Sequence, residues 1–367
     1  MKYHHPLKKI LSQARRYWDR DEMRPAIRRV FGKALQCRTA DLGAEVYCSE
    51  KQELILYHTC KSRACPSCGY RAQVQWLRER WVALPDVLYK GVTFTMPNQL
   101  WPLFRDNPPV AKTLSALAAE VIKARMGAKY GLRVGVIAIL HTFNGKLEFN
   151  SHAHTMVTGG GLHGSSDIWV SSVYYERDPL MEAWRRAVIA LLRAALRAGQ
   201  LHTKMNVAQM EELLTQQEKC SWIIKIQSFE DKWHFLQYAG RYVRRPPIAQ
   251  RRITWIGERT VRFWFKDKKL RRRVEEQCSL EEFIDRWSQH IPARYQHAVR
   301  SFGLFAPRAL GQTSAAIFVI LRQERKPRPK PRRWAESIKR DFKHDPLLDH
   351  MGKKMKWVRR LAPTASR

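Results

Sequence analysis

Two β patterns joined by Asn144-Gly145 constrain the fold of this chain more than any other feature. The segments "LRVGVIAILHTF" and "LEFNSHAHTMVTGGG" flank this dipeptide, and both are rich in β-branched and aromatic residues. Asn-Gly between two such runs is the strongest short-range signal for a β-hairpin, because both residues tolerate the positive φ of a tight turn. The sequence therefore predicts two neighbouring antiparallel strands.

The hairpin carries three histidines. His152 and His154 are two residues apart in the second arm, so their side chains point to the same face of the sheet. His141, in the first arm, lies on that face too if the arms pair symmetrically about the turn. Converging imidazoles can hold a divalent metal, and we take His141 as the third ligand, with Gln237 and Glu148 as alternatives. A purely structural histidine pair is the competing interpretation.

The stretch "QYAGRYVRRPP" places Tyr238 and Tyr242 four residues apart. On the helix predicted for "KWHFLQYAGRYV", this spacing puts both phenols on one face, roughly 6 Å apart along the axis. Such aromatic pairs are usually packing residues. Beside a metal that polarises a DNA phosphate, however, a phenol can act as a nucleophile and form a phosphotyrosine ester. Three nearby basic residues would then hold phosphates: Arg241, Arg244 and Arg245.

The charge of the chain indicates a polyanionic partner. Its 367 residues include 67 Lys and Arg against 33 Asp and Glu, for a formal net charge of +34. The excess is spread over the whole length, and nucleic acid is the default partner for such a field. A membrane function is disfavoured, because no apolar run approaches the roughly 18 residues of a span and no signal-peptide pattern opens the sequence. We expect a cytoplasmic, nucleoid-associated protein with reduced thiols.

Five of the seven cysteines fall between positions 37 and 68, which in a reducing compartment indicates a metal rather than disulfides. Cys60, Cys65 and Cys68 lie in "HTCKSRACPSC", and a Cys-x2-Cys turn presents two thiolates to a tetrahedral zinc ion. We take Cys48 as the fourth ligand. Two other residues stay alternatives for that position: Cys37 and His58. The zinc ion would stabilise a small subdomain. Nearby basic residues would contact DNA: Lys61, Arg63 and Arg71.

Strand and helix patterns interleave along the chain without a strict βαβ period. This favours an α+β fold in which helices flank an antiparallel sheet. We divide the chain into a helical zinc-binding and DNA-binding domain over 1–88, a catalytic domain over 89–312, and a basic linker and tail over 313–367. The linker contains "ERKPRPKPRRW", and Ser279 with Glu282 three residues later predicts a capped helix in the catalytic domain.

The sequence resembles a known family, the rolling-circle insertion-sequence transposases of the two-tyrosine His-hydrophobe-His (HUH) endonuclease class. The resemblance runs over most of the chain. It rests on "CRTADLG", "HTCKSRACPSC", "GVTFTMPNQLW", "LHTF", "SHAHTMVTGGGL", "YAGRYVRRPPIAQRRI" and "FIDRWSQHIPARYQHAVRSFGLFAPR". It implies an HUH-like antiparallel sheet and an N-terminal zinc-binding DNA module. It also implies a catalytic Mg²⁺ or Mn²⁺ at His152 and His154, the nucleophiles Tyr238 and Tyr242, and 5′-phosphotyrosine chemistry on single-stranded DNA at transposon ends and targets.

The sequence departs from the family pattern in three places. The hydrophobe between the histidines is only Ala153, which is a harmless change. Lys51 stands where the family usually has a zinc-knuckle cysteine, which leaves the zinc ligand set open. The C-terminal "DPLLDHMGKKM" lacks the further cysteine pair that the corresponding family segment often carries, which argues against a second zinc site.

Three other functions compete with this interpretation. A plasmid or phage replication initiator or relaxase would use the same chemistry, but we would not expect it to carry the N-terminal cysteine segment. A non-enzymatic zinc-containing DNA- or RNA-binding protein would account for the charge, the cysteines and the aromatic residues. A transposase that uses three carboxylates and two metals is disfavoured, because acidic residues are scarce.

Overall fold

The computed structural model describes residues 5–62, 64–164, 168–243, 246–267, 270–292, 297–309 and 312–364, without the side chains of Pro66, Ser67 and Gln312. The α-helices in this part of the chain are α1 (Pro6–Gln13), α2 (Arg15–Trp18), α3 (Pro25–Gln36), α4 (Pro66–Ala83), α5 (Trp101–Arg105), α6 (Pro108–Ala111), α7 (Leu114–Tyr130), α8 (Arg177–Arg197), α9 (Val207–Lys219), α10 (Lys232–Gly240), α11 (Leu280–Ser288), α12 (Gln312–Ile320) and α13 (Trp334–Phe342).

The strands are β1 (Ala44–Cys48), β2 (Glu53–Tyr57), β3 (Tyr89–Phe94), β4 (Leu132–Arg133), β5 (Gly135–Phe143), β6 (Phe149–Thr158), β7 (Gly161–His163), β8 (Trp169–Val170), β9 (Ile224–Phe229), β10 (Ile253–Ile256), β11 (Thr260–Lys266), β12 (Arg273–Ser279), β13 (Val299–Gly303) and β14 (Lys356–Leu361). In the described residues they form a five-stranded sheet and three smaller sheets of three strands each. The α+β class with antiparallel sheets flanked by helices is therefore confirmed.

The five-stranded sheet is antiparallel throughout and has the order β13-β5-β6-β3-β9. The predicted hairpin forms its middle, and β5 pairs with β6 so that His141 lies opposite His152. On the other side of β6, Thr93 of β3 lies opposite His154. This register puts all four side chains on one face of the sheet.

The turn of this hairpin differs from the tight turn that the sequence predicts. The connection runs from Asn144 to Glu148, and Leu147 rather than Gly145 has the positive φ, at 65°. Asn144 Oδ1 accepts hydrogen bonds from the backbone N–H groups of Lys146 at 2.8 Å and Glu148 at 3.1 Å. These side-chain bonds stabilise a longer loop, which accompanies a register shift between His141 and Phe143.

The two faces of the central sheet have different coverings. The face opposite the histidines packs against α5, α7 and α8 in the largest core, where Phe94 contacts Trp184 with ring centroids 5.0 Å apart. Ala153, the residue between the two histidines, belongs to this core, as its small apolar side chain requires. The histidine face packs against α10 and α12 through a smaller core that includes Met156 and Phe235.

The N-terminal helices pack against a distant part of the sequence. Residues of α1 and α3 share a core with the sheet β10-β11-β12 and with α11, and the rings of Phe31 and Trp287 lie 4.7 Å apart. Helix α11 begins as predicted, because Ser279 Oγ accepts a hydrogen bond from the N–H of Glu282 at 3.0 Å. The division of the chain at residues 88 and 312 stays a prediction.

The C-terminal segment returns to the N-terminal part of the chain. Strand β14 pairs with β1 and completes the three-stranded sheet β14-β1-β2 beside the cysteine segment. The segment that the sequence predicts as a basic helical tail therefore contains one helix, α13, followed by a strand. No helix in the described ranges is long and apolar enough to cross a membrane.

Candidate active site and cysteine centre

Three imidazoles come together on the central sheet, as the hairpin predicts. The ligating nitrogens of His141, His152 and His154 lie within 4.8 Å of one another. His141 Nδ1 and His152 Nε2 are 3.2 Å apart, and the ring centroids of His152 and His154 are 4.8 Å apart. His141 and His154 are buried and His152 is half-buried. Such a cluster can hold one divalent ion, with the remaining coordination positions open to a substrate.

Hydrogen bonds from outside the cluster orient two of these rings. His152 Nδ1 lies 2.7 Å from the carbonyl oxygen of Asn150. A carbonyl only accepts, so Nδ1 carries the proton and Nε2 presents its lone pair to the cluster. His154 Nδ1 lies 3.1 Å from the hydroxyl of Thr93, its neighbour across the sheet. The donor set therefore fits a metal site.

Tyr238 belongs to the last turn of α10, and its hydroxyl reaches the histidine cluster. The phenol oxygen lies 3.5 Å from His154 Nδ1 and 3.5 Å from Thr93 Oγ1. Its ring packs against Phe229 with centroids 5.1 Å apart, which holds it on the β9 side of the sheet. Tyr238 is half-buried, so part of the residue is exposed at the protein surface.

Tyr242 follows the helix and packs directly on the His154 ring, next to Tyr238. Its ring stacks on His154 with centroids 3.6 Å apart and planes inclined by 26°, and it meets His141 edge to face at 5.8 Å. Helix α10 ends at Gly240, shorter than the sequence predicts, but the N–H of Val243 still bonds to Ala239 O at 3.1 Å. This last turn keeps both phenols on the cluster, with ring centroids 5.1 Å apart.

Two glycines allow the tyrosine helix to approach the sheet and its neighbouring helix. A Cβ on Gly91 of β3 would lie 3.3 Å from the ring of Tyr238 and 3.2 Å from that of Phe229. A Cβ on Gly240 would lie 3.2 Å from Leu77 of α4. Gln73 of α4 donates a hydrogen bond to the carbonyl of Gly240 at 2.7 Å, which satisfies one of the free carbonyls at the helix end.

The cysteine centre consists of Cys37, Cys60, Cys65 and Cys68. The Sγ atoms of Cys37 and Cys68 are 3.6 Å apart, those of Cys60 and Cys68 3.6 Å, and those of Cys37 and Cys65 3.9 Å. Four sulfurs at roughly 2.3 Å from a tetrahedral zinc ion lie about 3.8 Å from one another. These distances also exceed a disulfide bond by far, so the cluster fits zinc and not two disulfides.

The fourth cysteine is Cys37 and not Cys48, which corrects our choice of Cys48. Cys48 ends β1, and its thiol lies 3.9 Å from a carboxylate oxygen of Glu53 instead. Cys37 follows α3, whose packing in the N-terminal core brings the thiol to the loop that carries Cys60. His58, the other alternative, lies outside the cluster: its imidazole contacts Leu42 O at 2.9 Å and Glu45 at 3.0 Å.

The thiols of this centre are electrostatically linked. Hydrogen bonds from Cys60 and Cys65 lower the pKa of Cys37 to about 7, and hydrogen bonds led by that from Cys37 lower the pKa of Cys68. The same close packing raises the pKa of Cys60 and that of Cys65, with Cys37 as the first cause in both. Four thiolates at these distances repel one another, so full deprotonation requires a cation at their centre.

Two family models match parts of this chain. Residues 9–96 match a family described as "Transposase zinc-binding domain", and residues 135–312 match one described as "Putative transposase". The chain is 29% identical over 327 residues to the "Transposase for insertion sequence element IS801" of Pseudomonas savastanoi pv. phaseolicola. The aligned region covers 84% of this chain and 77% of that protein. The chain belongs to the IS91 family of transposases.

A second relative extends the same comparison. The transposase is 28% identical over 305 residues to the "Putative transposase y4qJ" of Sinorhizobium fredii, covering 77% of this chain and 75% of that protein. No solved structure matches the chain. The zinc-binding match contains the whole cysteine cluster, and the second match contains the three histidines and both tyrosines.

The basic residues predicted to contact DNA have different positions in the transposase. Arg241 is exposed directly after α10, one residue before Tyr242. Lys61 is exposed in the cysteine loop, and exposed Arg71 donates a hydrogen bond to Arg332 O at 3.1 Å. Arg63, Arg244 and Arg245 lie outside the described residues. A role for any of them in DNA binding stays a prediction.

Several residues of the transposase site were not found by sequence reasoning. Thr93 and Gly91 lie in "YKGVTFTMP", where an alternation of apolar residues indicates only a strand. Gln73 lies in an ordinary helical pattern. The glycine inside a β pattern was a usable signal, because it often marks a close approach of another element. No local signal identifies Thr93.

Proposed function

We propose that this transposase cleaves and rejoins single-stranded DNA at the ends of its element through phosphotyrosine intermediates. The observation that supports this most directly is the position of the Tyr238 hydroxyl, 3.5 Å from a nitrogen of the three-histidine cluster. A nucleophile and a cation site therefore adjoin one surface, as in-line attack on a phosphate requires. The net charge of +34 supports a nucleic-acid substrate.

The histidine cluster would hold the catalytic cation, Mg²⁺ or Mn²⁺. Bound there, the ion would polarise a phosphate oxygen and neutralise charge that develops on the leaving oxygen. Three imidazoles with no carboxylate suit Mn²⁺ better than Mg²⁺, since Mg²⁺ prefers oxygen ligands. The orientation of His152 by Asn150 makes Nε2 the ligand atom of that ring.

The chemical step forms one bond to phosphorus and breaks another. The phenol oxygen of Tyr238 or Tyr242 attacks the phosphorus, the bond to the 3′ oxygen breaks, and the tyrosine retains the 5′ phosphate. The phenol gives up its proton and the 3′ oxygen gains one, so a later attack by a 3′ hydroxyl reverses the reaction without ATP. The His154 and Thr93 groups beside the Tyr238 hydroxyl can hydrogen-bond to the developing phenolate.

Two adjacent tyrosines allow two strands to be held at once. With the phenol ring centroids 5.1 Å apart beside one cluster, a strand can stay attached to one tyrosine while the other attacks a second strand. This exchange is what rolling-circle transposition requires at the two ends of an element. We propose that the transposase carries it out in the cytoplasm, on element ends and targets exposed as single strands.

The test is covalent capture of DNA. Labelled single-stranded oligonucleotides from both flanks of the gene are incubated with Mn²⁺ and with the wild type, Tyr238→Phe, Tyr242→Phe or the double variant. We expect adducts with the wild type and none with the double variant, because phenylalanine preserves the packing but has no nucleophile. An adduct of undiminished yield in the double variant refutes the assignment. A non-enzymatic binding protein would shift the oligonucleotides without any adduct.

A further inference from the structure

A lysine of the edge strand extends the candidate active site. Lys225 of β9 lies directly opposite Thr93 of β3, which in turn lies opposite His154 of β6. Directly opposed side chains on an antiparallel pair have Cβ atoms roughly 5 Å apart and point to the same face. Lys225, Thr93 and His154 therefore form a row across three strands on the histidine face of the sheet.

The helix that carries the tyrosines leaves this end of β9 open. Phe229, two alternations further along the same face, is buried beneath Phe235 and Tyr238. Lys225, in contrast, is exposed. Its side chain is thus accessible to DNA on the same face as Thr93, whose hydroxyl lies 3.5 Å from the Tyr238 oxygen.

The row makes the surroundings of the two tyrosines unequal. Tyr238 packs against Phe229 and over Gly91, on the β3–β9 side of His154. Tyr242 stacks on His154 and meets His141, on the β5–β6 side. A cation on β9 therefore lies on the Tyr238 side of the site, whereas Tyr242 lies toward His141 of β5.

We propose that Lys225 binds the phosphate that Tyr238 attacks and contributes much less to the reaction of Tyr242. A lysine supplies a mobile point charge with three donors, which suits a non-bridging phosphate oxygen. The inference rests on the proposed phosphotyrosine chemistry and deepens it, because it makes the two nucleophiles functionally distinct. DNA held at Lys225 would be bound by the histidine cluster and the edge strand together.

A lysine on an edge strand also has a structural use, since its charge discourages pairing with other chains. That role concerns aggregation and predicts no difference between the two tyrosines. The two explanations are therefore separated by measuring each tyrosine alone.

The experiment uses the full chain with one tyrosine at a time. Tyr242→Phe leaves only Tyr238, and Tyr238→Phe leaves only Tyr242; each is combined with Lys225→Ala or Lys225→Arg. Rates of adduct formation are measured at saturating labelled oligonucleotide, with the Kd measured separately and the state of association followed by light scattering. Gln227→Ala, a change on the same strand and face but away from Thr93, is the matched control.

We expect Lys225→Ala to slow adduct formation by Tyr238 on the order of tenfold or more, the scale of a charge-assisted hydrogen bond. Lys225→Arg should restore part of the rate, the reaction of Tyr242 should change far less, and Gln227→Ala should match the parent. Equal losses through both tyrosines, or none through Tyr238, overturn the assignment of Lys225 alone. Adducts missing from the wild type and from both single-tyrosine proteins with Lys225 intact overturn the proposed function and this inference together.

Discussion

The transposase has two clusters of side chains that could hold a metal ion, and they differ in what surrounds them. The cysteine centre brings four thiols within 3.6–3.9 Å of their neighbours, which completes a tetrahedron. The histidine centre has three imidazoles, with a phenol oxygen 3.5 Å from one of them. A closed set of ligands leaves a metal no position for a substrate, whereas an incomplete set beside a nucleophile leaves one. The cysteine centre therefore suits a structural role, and the histidine centre suits the chemistry that we propose.

The two centres are also built differently. The cysteines come from the end of a helix, a loop and the start of another helix, so the centre needs a metal to hold these segments together. The histidines come from two paired strands in the middle of the central sheet, whose backbone hydrogen bonds position them without a metal. Loss of the metal should therefore unfold the first region but leave the second folded and inactive.

The largest effect should come from removing one ligand of the cysteine centre. Cys37→Ser removes one of four thiolates, and structural zinc in small domains contributes roughly 10–16 kcal/mol of binding free energy. We expect zinc content to fall from about one ion per chain to nearly none, and the unfolding midpoint of the N-terminal region to drop. The measurements are elemental analysis and thermal unfolding.

Cys48→Ser is the matched control, because Cys48 lies in the same segment but outside the cluster. It should retain zinc and stability. If Cys48→Ser loses zinc and Cys37→Ser retains it, Cys48 is the fourth ligand and the cysteine centre is not the cluster described above.

The next largest effect should come from removing one ligand of the histidine centre. His141→Ala should reduce metal-dependent adduct formation about a hundredfold or more at limiting Mn²⁺, since loss of even an outer-shell partner of a metal ligand typically costs 10–100-fold in affinity or activity. Excess Mn²⁺ should restore part of the rate, and zinc content should stay unchanged because the two centres are separate. The reaction is measured across a Mn²⁺ titration, with exposed His202→Ala as the control.

If His141→Ala forms adducts at the wild-type rate at every Mn²⁺ concentration, His141 is not a ligand. The ligands of the histidine centre would then be His152 and His154, the pair that the resemblance implies.

The smallest effect should come from crowding Tyr238, which tests the difference between the two tyrosines beside the histidine centre. Gly91→Ala adds a methyl group 3.3 Å from the Tyr238 ring, closer than ordinary packing allows, and overpacking of this kind costs roughly 1–3 kcal/mol. We expect a severalfold slower reaction through Tyr238 in the Tyr242→Phe protein and little change through Tyr242. The readout is again the rate of adduct formation for each tyrosine alone.

Gly127→Ala is the control for adding a methyl group. Nothing lies within 4 Å of the added Cβ in α7, and alanine favours a helix over glycine by about 1 kcal/mol. That variant should be slightly stabilised with both reactions unchanged. A similar loss through both tyrosines in Gly91→Ala would mean that the tyrosine helix moves as one unit.

The parts of the site that the sequence predicts are those fixed by local geometry. That His141 shares a sheet face with His152 follows from two strands on either side of one short loop, and alternation adds His154. The hairpin loop is longer than a tight turn, so the register is not symmetric about Asn144-Gly145, yet the three histidines share one face as predicted. The common face of Tyr238 and Tyr242 follows in the same way from the pitch of a helix, even though α10 ends at Gly240.

The parts that sequence reasoning missed depend on contacts between distant segments. Cys37 and Cys48 both lie upstream of Cys60, and only the packing of α3 decides which thiol reaches the cluster. The pairing of β14 with β1 joins residues about three hundred positions apart, which no local pattern encodes. Thr93 gains its significance only because β3 pairs with β6 at His154.

The sequence by itself determined the α+β class, the cysteine-rich module, the transposase family and the clustering of histidines on one strand face, because each depends on short-range periodicity or on motif content. Tertiary structure alone decided that α10 lies across those histidines, that Cys37 completes the cysteine centre, and that Lys225 joins the row beside Tyr238. The physical reason is that such contacts come from burying apolar faces of distant segments against one another. Many sequences satisfy that requirement equally well, and the choice among partners appears only in the folded chain.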